Sequence, residues 1–500
     1  MTDSVSSKQD GRLKTGPAPE LIQSAYLLEV SYGAILYKGL SLADLSHVIT
    51  LTEASVIPQE AARKLLAVLL DAHQIPAESF IFDPALGDAY KNRENYIIQL
   101  ASDVGGWLRT GRARREATNI AYQIVLRERI LILVDSLTSL AEALVGLSEK
   151  HINTLMPDFT YLQHAQPTTL AHYLLGFVFP ILRDFERLRA CFGRVNLCPG
   201  GIGSVNGSRL PFSRQRLAEL LGFAGPITHT RDAMWQADMP IEIMADIVAS
   251  IINIDRLAED LQIWATQEFD MIELADEYCR ASVIMPQKKN PYSLAYVRGV
   301  AGVLIGQLTA MSIVGRTVSG QPDNRIFAYG DVPQALDTAN QTVRLMTGVM
   351  QTLSVNVALM ARRVAEGYSQ ATDLAELIML EAKLPYLTAH RLVSEVVSVA
   401  AQKGIPALQI SSAMIDASAR QILGRDLNLS EDVLRQALQP QEIVATRVGL
   451  GGAAPEPAKD MIAEARKSIN ETRQWKTRMQ EHLANVESNL IKTAREMSLT

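Results

Sequence analysis

Between positions 281 and 290 the chain reads Ala281-Ser282-Val283-Ile284-Met285-Pro286-Gln287-Lys288-Lys289-Asn290. A serine stands six residues before Lys288, and a long apolar run follows at once. An ammonium and a carboxamide close to a helix start, where backbone N–H groups lack partners, suit a carboxylate. Ser282 in such a loop is a nucleophile, a base, or part of a helix cap that tolerates anions. The three cysteines, Cys191, Cys198 and Cys279, have neither disulfide nor zinc spacing, and no His/Cys/Asp cluster is spaced as metal ligands are. The chemistry these residues offer is carboxylate recognition.

The elements that carry this loop read as helices. Apolar positions recur at three and four through 116–150, and similar runs cover 169–190, 240–268, 291–313 and 333–355. These runs exceed the usual three turns, and no stretch alternates as a half-buried strand does. Long apolar helices joined by loops predict an all-α bundle. Breaks fall at Cys198-Pro199-Gly200-Gly201-Ile202-Gly203, at Ser319-Gly320-Gln321-Pro322-Asp323-Asn324, and at Gly449-Leu450-Gly451-Gly452-Ala453-Ala454-Pro455. With 500 residues, two or three domains are expected. The division is an N-terminal helical domain over 1–115 with a flexible arm, a central bundle over 116–363, and a C-terminal helical domain over 364–500.

Bulk properties exclude some roles. A net charge of −6 and a pI near 5.9 disfavour a nucleic-acid binder. The N-terminus is polar, without the apolar core of a secretory signal. The most membrane-like stretch, 299–315, contains Gln307 and follows Arg298, and reads as a helix buried on all sides of a protein core. Unpaired cysteines fit a reducing, cytoplasmic setting.

The 281–290 segment resembles the signature GSSxMPxKxN of the fumarase/aspartase superfamily, and most closely its argininosuccinate lyase form, GSSLMPQKKNP. Arg256-Leu257-Ala258-Glu259-Asp260 with Trp264 and Gln267-Glu268-Phe269 is similar to RLAEDLxxW…QEF. Thr160-Tyr161-Leu162-Gln163-His164-Ala165-Gln166-Pro167 resembles THLQRAQP, and Thr110-Gly111-Arg112-Ala113-Arg114 resembles TGRSRND. Ala371-Thr372-Asp373-Leu374-Ala375 and the Gly451–Pro455 turn resemble C-terminal markers of the family. The resemblance implies a three-domain helical fold, a homotetramer with a core of twenty helices, and sites shared between subunits. It implies reversible β-elimination from a succinyl group with release of fumarate, for which neither a metal nor an organic cofactor is required. Ser282 takes the place of the base. Lys288, Asn290, loop N–H groups and the glycine-rich loop around Gly203 are the implied stabilisers of a carboxylate enediolate. Thr110, Arg112, Arg114, Thr160 and Gln163 take substrate-binding positions.

Departures gather at the same motifs. The family's Thr-His pair is Thr160-Tyr161, and the glutamate that partners that histidine is Ala295. A second family histidine is Tyr90, in Asp88-Ala89-Tyr90-Lys91. Within TGRSRND the serine is Ala113, the asparagine Arg115 and the aspartate Glu116. A phenol donates to a carboxylate or to a leaving nitrogen, so Tyr161 is expected in catalysis and Tyr90 in binding. Arg115 adds a guanidinium, which favours a further anionic group on the substrate. His47, His164 and His172 remain as substitutes for the lost acid, with structural roles favoured for the last two. The expected activity is C–N cleavage of an N-substituted aspartate to fumarate and an amine, of amino-polycarboxylate type. The alternatives are authentic argininosuccinate cleavage and a non-catalytic scaffold like the lens crystallins of this fold.

Overall fold

In the computed structural model the described residues are 12, 15–321 and 325–499. The N-terminal arm expected from the sequence falls for the most part outside them, as do positions 322–324 of the second break.

The Arg114–Lys150 helix is the axis of the molecule, 37 residues long. Leu126, Ile130, Val134, Leu137, Leu140 and Leu144 are buried along it. It packs against helices Gly33–Glu53, Leu170–Val195, Ile326–Thr352 and Pro455–Leu499. A helix covered from several sides needs no single apolar stripe. Asp238–Trp264 and Tyr292–Gly315 complete the central bundle. The helix expected from Pro333 starts seven residues earlier, at Ile326, with Pro333 inside it. Proline removes one backbone donor there, but Val332, Pro333 and Leu336 are buried, and bundle packing carries the helix through. Among the described residues, β-structure is limited to three two-stranded antiparallel ribbons and one isolated parallel bridge between Cys198 and Pro226.

Two expectations need correction. The helix over 299–315 is not buried on all sides. Leu294, Val297, Val300, Ala301 and Leu304 face the bundle, while Tyr292, Tyr296, Val303, Ile305 and Ile313 are exposed. The third domain does not run to the C-terminus. A separate apolar core links residues of 374–438, but the Pro455–Leu499 helix leaves it. Ala458, Ile462, Ala465 and Ile469 join the central core, and Leu490 and Ala494 join the N-terminal one. At about 1.5 Å per residue its 45 residues extend some 68 Å, too long to be buried by a small domain. Likewise Ile120 and Ile124 belong to the N-terminal core, so the boundary at 115 cuts a continuous helix.

Candidate active site

The Ser102–Arg109 turn delivers the chain to Thr110, and the long helix begins at Arg114. Gly111 has φ +65°, a left-handed conformation that favours glycine. His47 Nε2 lies 3.0 Å from the Thr110 carbonyl oxygen. Burial, then the Arg112 charge, pushes this imidazole well below the ordinary histidine value. It is neutral, and its Nε2–H donates to Thr110. Arg112 is buried, donating from Nη2 to Asp44 Oδ1 at 2.6 Å and from Nη1 to the Ala43 carbonyl at 3.1 Å. Arg93 Nε donates to the other Asp44 oxygen at 3.0 Å. The Arg112 fork, expected to grip substrate, is committed to the protein and contributes charge from behind. Tyr90 is also buried; its hydroxyl donates to Glu94 Oε1 at 3.1 Å, and burial raises the phenol above its ordinary value.

Two arginines in the first turn of a helix oppose its dipole, and each has an acid to offset it. Arg114 is half exposed, with Nε 3.4 Å from Asp88 Oδ2. Arg115 Nη1 lies 3.1 Å from Glu29 Oε2, in a pair about nine-tenths buried, with the guanidinium 6.0 Å from the Tyr329 ring centre. The anion that a buried guanidinium requires is therefore supplied by the chain. Arg115 no longer argues for an extra substrate carboxylate. Tyr90, Lys91, Glu94, Arg109, Arg112 and Arg114 line an open cavity of ≈ 460 Å³.

Thr160, Tyr161 and Gln163 sit at the tip of the Leu155–Thr160/Gln163–Thr169 hairpin, with Thr160 opposite Gln163. Tyr161 and Leu162 form the turn, at φ +53° and +58°. Positive φ at both central positions matches strand twist but normally selects Asn or Gly. For a Tyr-Leu turn it costs about 1–2 kcal/mol per residue. The Tyr161 side chain is 100% exposed. The ribbon base is held by Phe159, whose ring packs edge-on against His164 at 5.3 Å and near Trp264 and Phe269.

Ser282, Lys288 and Asn290 occupy the loop joining Arg280–Ala281 to its antiparallel partner Lys289–Asn290. Ser282 Oγ accepts from the Met285 N–H at 3.1 Å, and Asn290 Nδ2 donates to the Arg280 carbonyl at 2.8 Å. The adjacent lysines have different roles. Lys289 is anchored by Glu273 at 2.8 Å and Asp276 at 2.7 Å, whereas Lys288 is exposed and makes no ion pair among the described residues. Val283 and Ile284 stand in solvent. The structure thus gathers Tyr90, Arg112 and Arg114 around one cavity, but the partners found for Ser282 and Asn290 belong to the loop and its own strand.

A family model described as Lyase matches residues 49–306, and one described as Argininosuccinate lyase C-terminal matches 368–445. Argininosuccinate lyase of Methanosarcina mazei is 32% identical over 97% of this chain and 98% of its own. The chain is an argininosuccinate lyase-like member of the fumarase/aspartase superfamily. It is a carbon–nitrogen lyase. Argininosuccinate lyase of Methanosarcina acetivorans is 35% identical over 90% of this chain and 91% of its own. A crystal structure of EDDS lyase in complex with formate is similar at 28% identity, covering 97% of each chain with a TM-score of 0.87.

Some residues of this lyase's site region escaped the sequence reading. Glu116, noted only as a change from aspartate, is buried and accepts from the N–H groups of Gly201 at 2.7 Å, Ile202 at 3.3 Å and Gly203 at 3.1 Å. It clamps the glycine-rich loop, so the Gly203 N–H, expected to meet the enediolate, is already used. Gly203 itself is required, since a Cβ would lie 2.5 Å from the Gly207 carbonyl oxygen. Asp44 had a legible signal: Ser41, Asp44 and His47 recur every three residues along the Gly33–Glu53 helix. His172 is structural, with Nδ1 near Thr168 Oγ1 and Nε2 near the Gly451 carbonyl. Among the described residues one trio, Cys191, Glu242 and Asp246, converges closely enough for a metal. Glu242 is held by Arg194, and burial raises the Cys191 thiol, which leaves a poor site.

Proposed function

We propose that this lyase cleaves the Cα–N bond of an N-substituted aspartate, releasing fumarate and an amine, and that the amine half is an amino-polycarboxylate of the ethylenediamine-disuccinate type. What supports the reading is that the chain carries both an exposed serine–lysine loop and, apart from it, a cleft lined by Lys91, Arg109, Arg112 and Arg114. Ser282 takes a Cβ proton. The electron pair enters the adjacent carboxylate as an enediolate, which Lys288 and nearby N–H groups stabilise as the charge develops. The Met285 N–H, already on Ser282 Oγ, favours the alkoxide form of that base. The pair then closes the double bond, the Cα–N bond breaks, and Tyr161 protonates the leaving nitrogen. Arg114 and Thr110 hold the succinyl carboxylates, with Thr160, Gln163 and Asn290 completing the binding set.

A serine loop, a hairpin tip and an arginine cleft, the first two projecting into solvent, fit sites assembled from neighbouring subunits. The exposed face of Tyr292–Gly315 fits the same assembly, since contiguous apolar surface of this kind marks an interface. We assign a homotetramer with a shared core of twenty helices. Light scattering at micromolar concentration tests it, and a monomer refutes it.

Argininosuccinate is the second reading, favoured by the relatives' names. A panel of N-substituted aspartates, argininosuccinate included, scored by absorbance of released fumarate, decides. Faster cleavage of argininosuccinate than of every polycarboxylate overturns the first reading.

A further inference from the structure

A second cleft, of ≈ 490 Å³, lies where the Arg114–Lys150, Ile326–Thr352 and Pro455–Leu499 helices meet the Asp276–Tyr278 turn. It shares no lining residue with the arginine cleft. Its volume falls in the range of roughly 300–1,000 Å³ usual for small ligands.

Charges along this seam of helices come in matched pairs. Arg129 meets Asp337 at 2.9 Å, Lys476 meets Asp135 at 2.6 Å, Arg466 meets Glu149 at 2.6 Å, and Arg473 meets Glu142. Arg344 breaks the pattern. It lines the cleft, is exposed, and makes no hydrogen bond or ion pair among the described residues. Asp135, the other charged residue of the lining, is offset by Lys476. The cleft is left with one uncommitted positive charge.

Neutral polar groups complete its wall. Ser136 Oγ donates to Asn340 Oδ1, which orients the carboxamide and leaves its Nδ2 without a partner among the described residues. The Tyr278 hydroxyl stands against Gly348, where a Cβ would collide with it, and it too has no hydrogen-bond partner among them. The carboxamides of Gln351 and Gln480 are likewise uncommitted.

We infer that this cleft binds a small hydroxylated monocarboxylate, with its carboxylate on the Arg344 guanidinium and its hydroxyls on Asn340, Gln351, Gln480 and Tyr278. A guanidinium receives a carboxylate through two parallel N–H donors. One positive charge suits one carboxylate better than a phosphate ester, which carries about −1.5 to −2 near neutral pH. Carboxamides both donate and accept, as a hydroxyl does. The site is independent of the lyase chemistry proposed above.

Titration calorimetry of the full chain with D-gluconate tests the inference. The parent should bind about one gluconate per chain with a Kd of roughly 1 mM, and sorbitol, its uncharged counterpart, roughly tenfold more weakly or worse. Arg344→Gln should weaken gluconate binding roughly tenfold or more, with part of the loss restored in Arg344→Lys. Tyr278→Phe should weaken it roughly threefold. Because Arg344 is exposed and unpaired, its replacement should leave the melting temperature unchanged. If Arg344→Gln melts early, Tyr278→Phe decides, and unchanged binding there overturns the inference. So does a parent that binds no gluconate, or equal binding by the parent and a well-folded Arg344→Gln. Binding lost in Arg114→Gln but kept in Arg344→Gln assigns the anion to the arginine cleft and refutes the second site. Inorganic phosphate bound more tightly than gluconate, and lost in Arg344→Gln, refutes the carboxylate assignment.

Discussion

Removing either half of the Glu29–Arg115 pair should have unequal effects, because only one partner can discharge itself. Glu29→Gln leaves a buried guanidinium that cannot lose its proton. Breaking a buried pair in this way costs about 3–5 kcal/mol. Asp88 and the Tyr329 face remain beside Arg115 and return about 1–2 kcal/mol. The expected net loss is about 2–3 kcal/mol. Arg115→Asn leaves Glu29, whose carboxyl burial already raises above the ordinary value. That group takes up a proton, so the loss should be about 1 kcal/mol. At about 2.1 cal/mol/K per residue, the unfolding entropy of 500 residues is about 1 kcal/mol/K. The melting shifts are then about 2–3 °C and about 1 °C, and the double variant should recover part of the larger loss. Scanning fluorimetry at one scan rate measures all three. Arg115→Asn falling further than Glu29→Gln, or strict additivity in the double variant, refutes the claim that Glu29 is the counter-ion of Arg115.

Ser282→Ala should lower fumarate release by roughly three orders of magnitude or more with little change in melting, as loss of a principal catalytic group does; near-normal turnover removes Ser282 from the reaction. Tyr161→Gly should relieve the left-handed strain at the hairpin tip, holding or raising the melting temperature by the equivalent of about 1 kcal/mol, while turnover falls. Unchanged turnover there would make the tyrosine dispensable. Asp184 is almost fully buried, and burial raises its carboxyl to about 6 despite the partly opposing Arg187. Its folded value exceeds its unfolded one, so its stabilising contribution is complete below the ordinary aspartate range near 4 and is lost as pH rises through about 6. Asp184→Asn should therefore gain in melting temperature relative to the parent between pH 4 and pH 7, and a flat difference across that window contradicts this.

The helical class and the location of the serine loop were legible in the chain because both are local. Periodicity over 116–150 already specifies a helix, and Ser282 to Asn290 lie within one loop whatever surrounds them. The family resemblance drew on the same short motifs, in order. Tertiary structure decided matters that depend on partners far apart in sequence. Whether Arg115 awaits a ligand depends on Glu29, 86 positions earlier, and whether the Gly203 N–H is free depends on Glu116. A charge in a sequence carries no address for its counter-charge. Only the packing of the Gly33–Glu53 helix against the long central helix brings Asp44 to Arg112 and His47 to Thr110. The extent of the third domain followed the same logic. A 45-residue helix cannot be assigned by sequence order, because the surface that buries its apolar face is chosen by the fold.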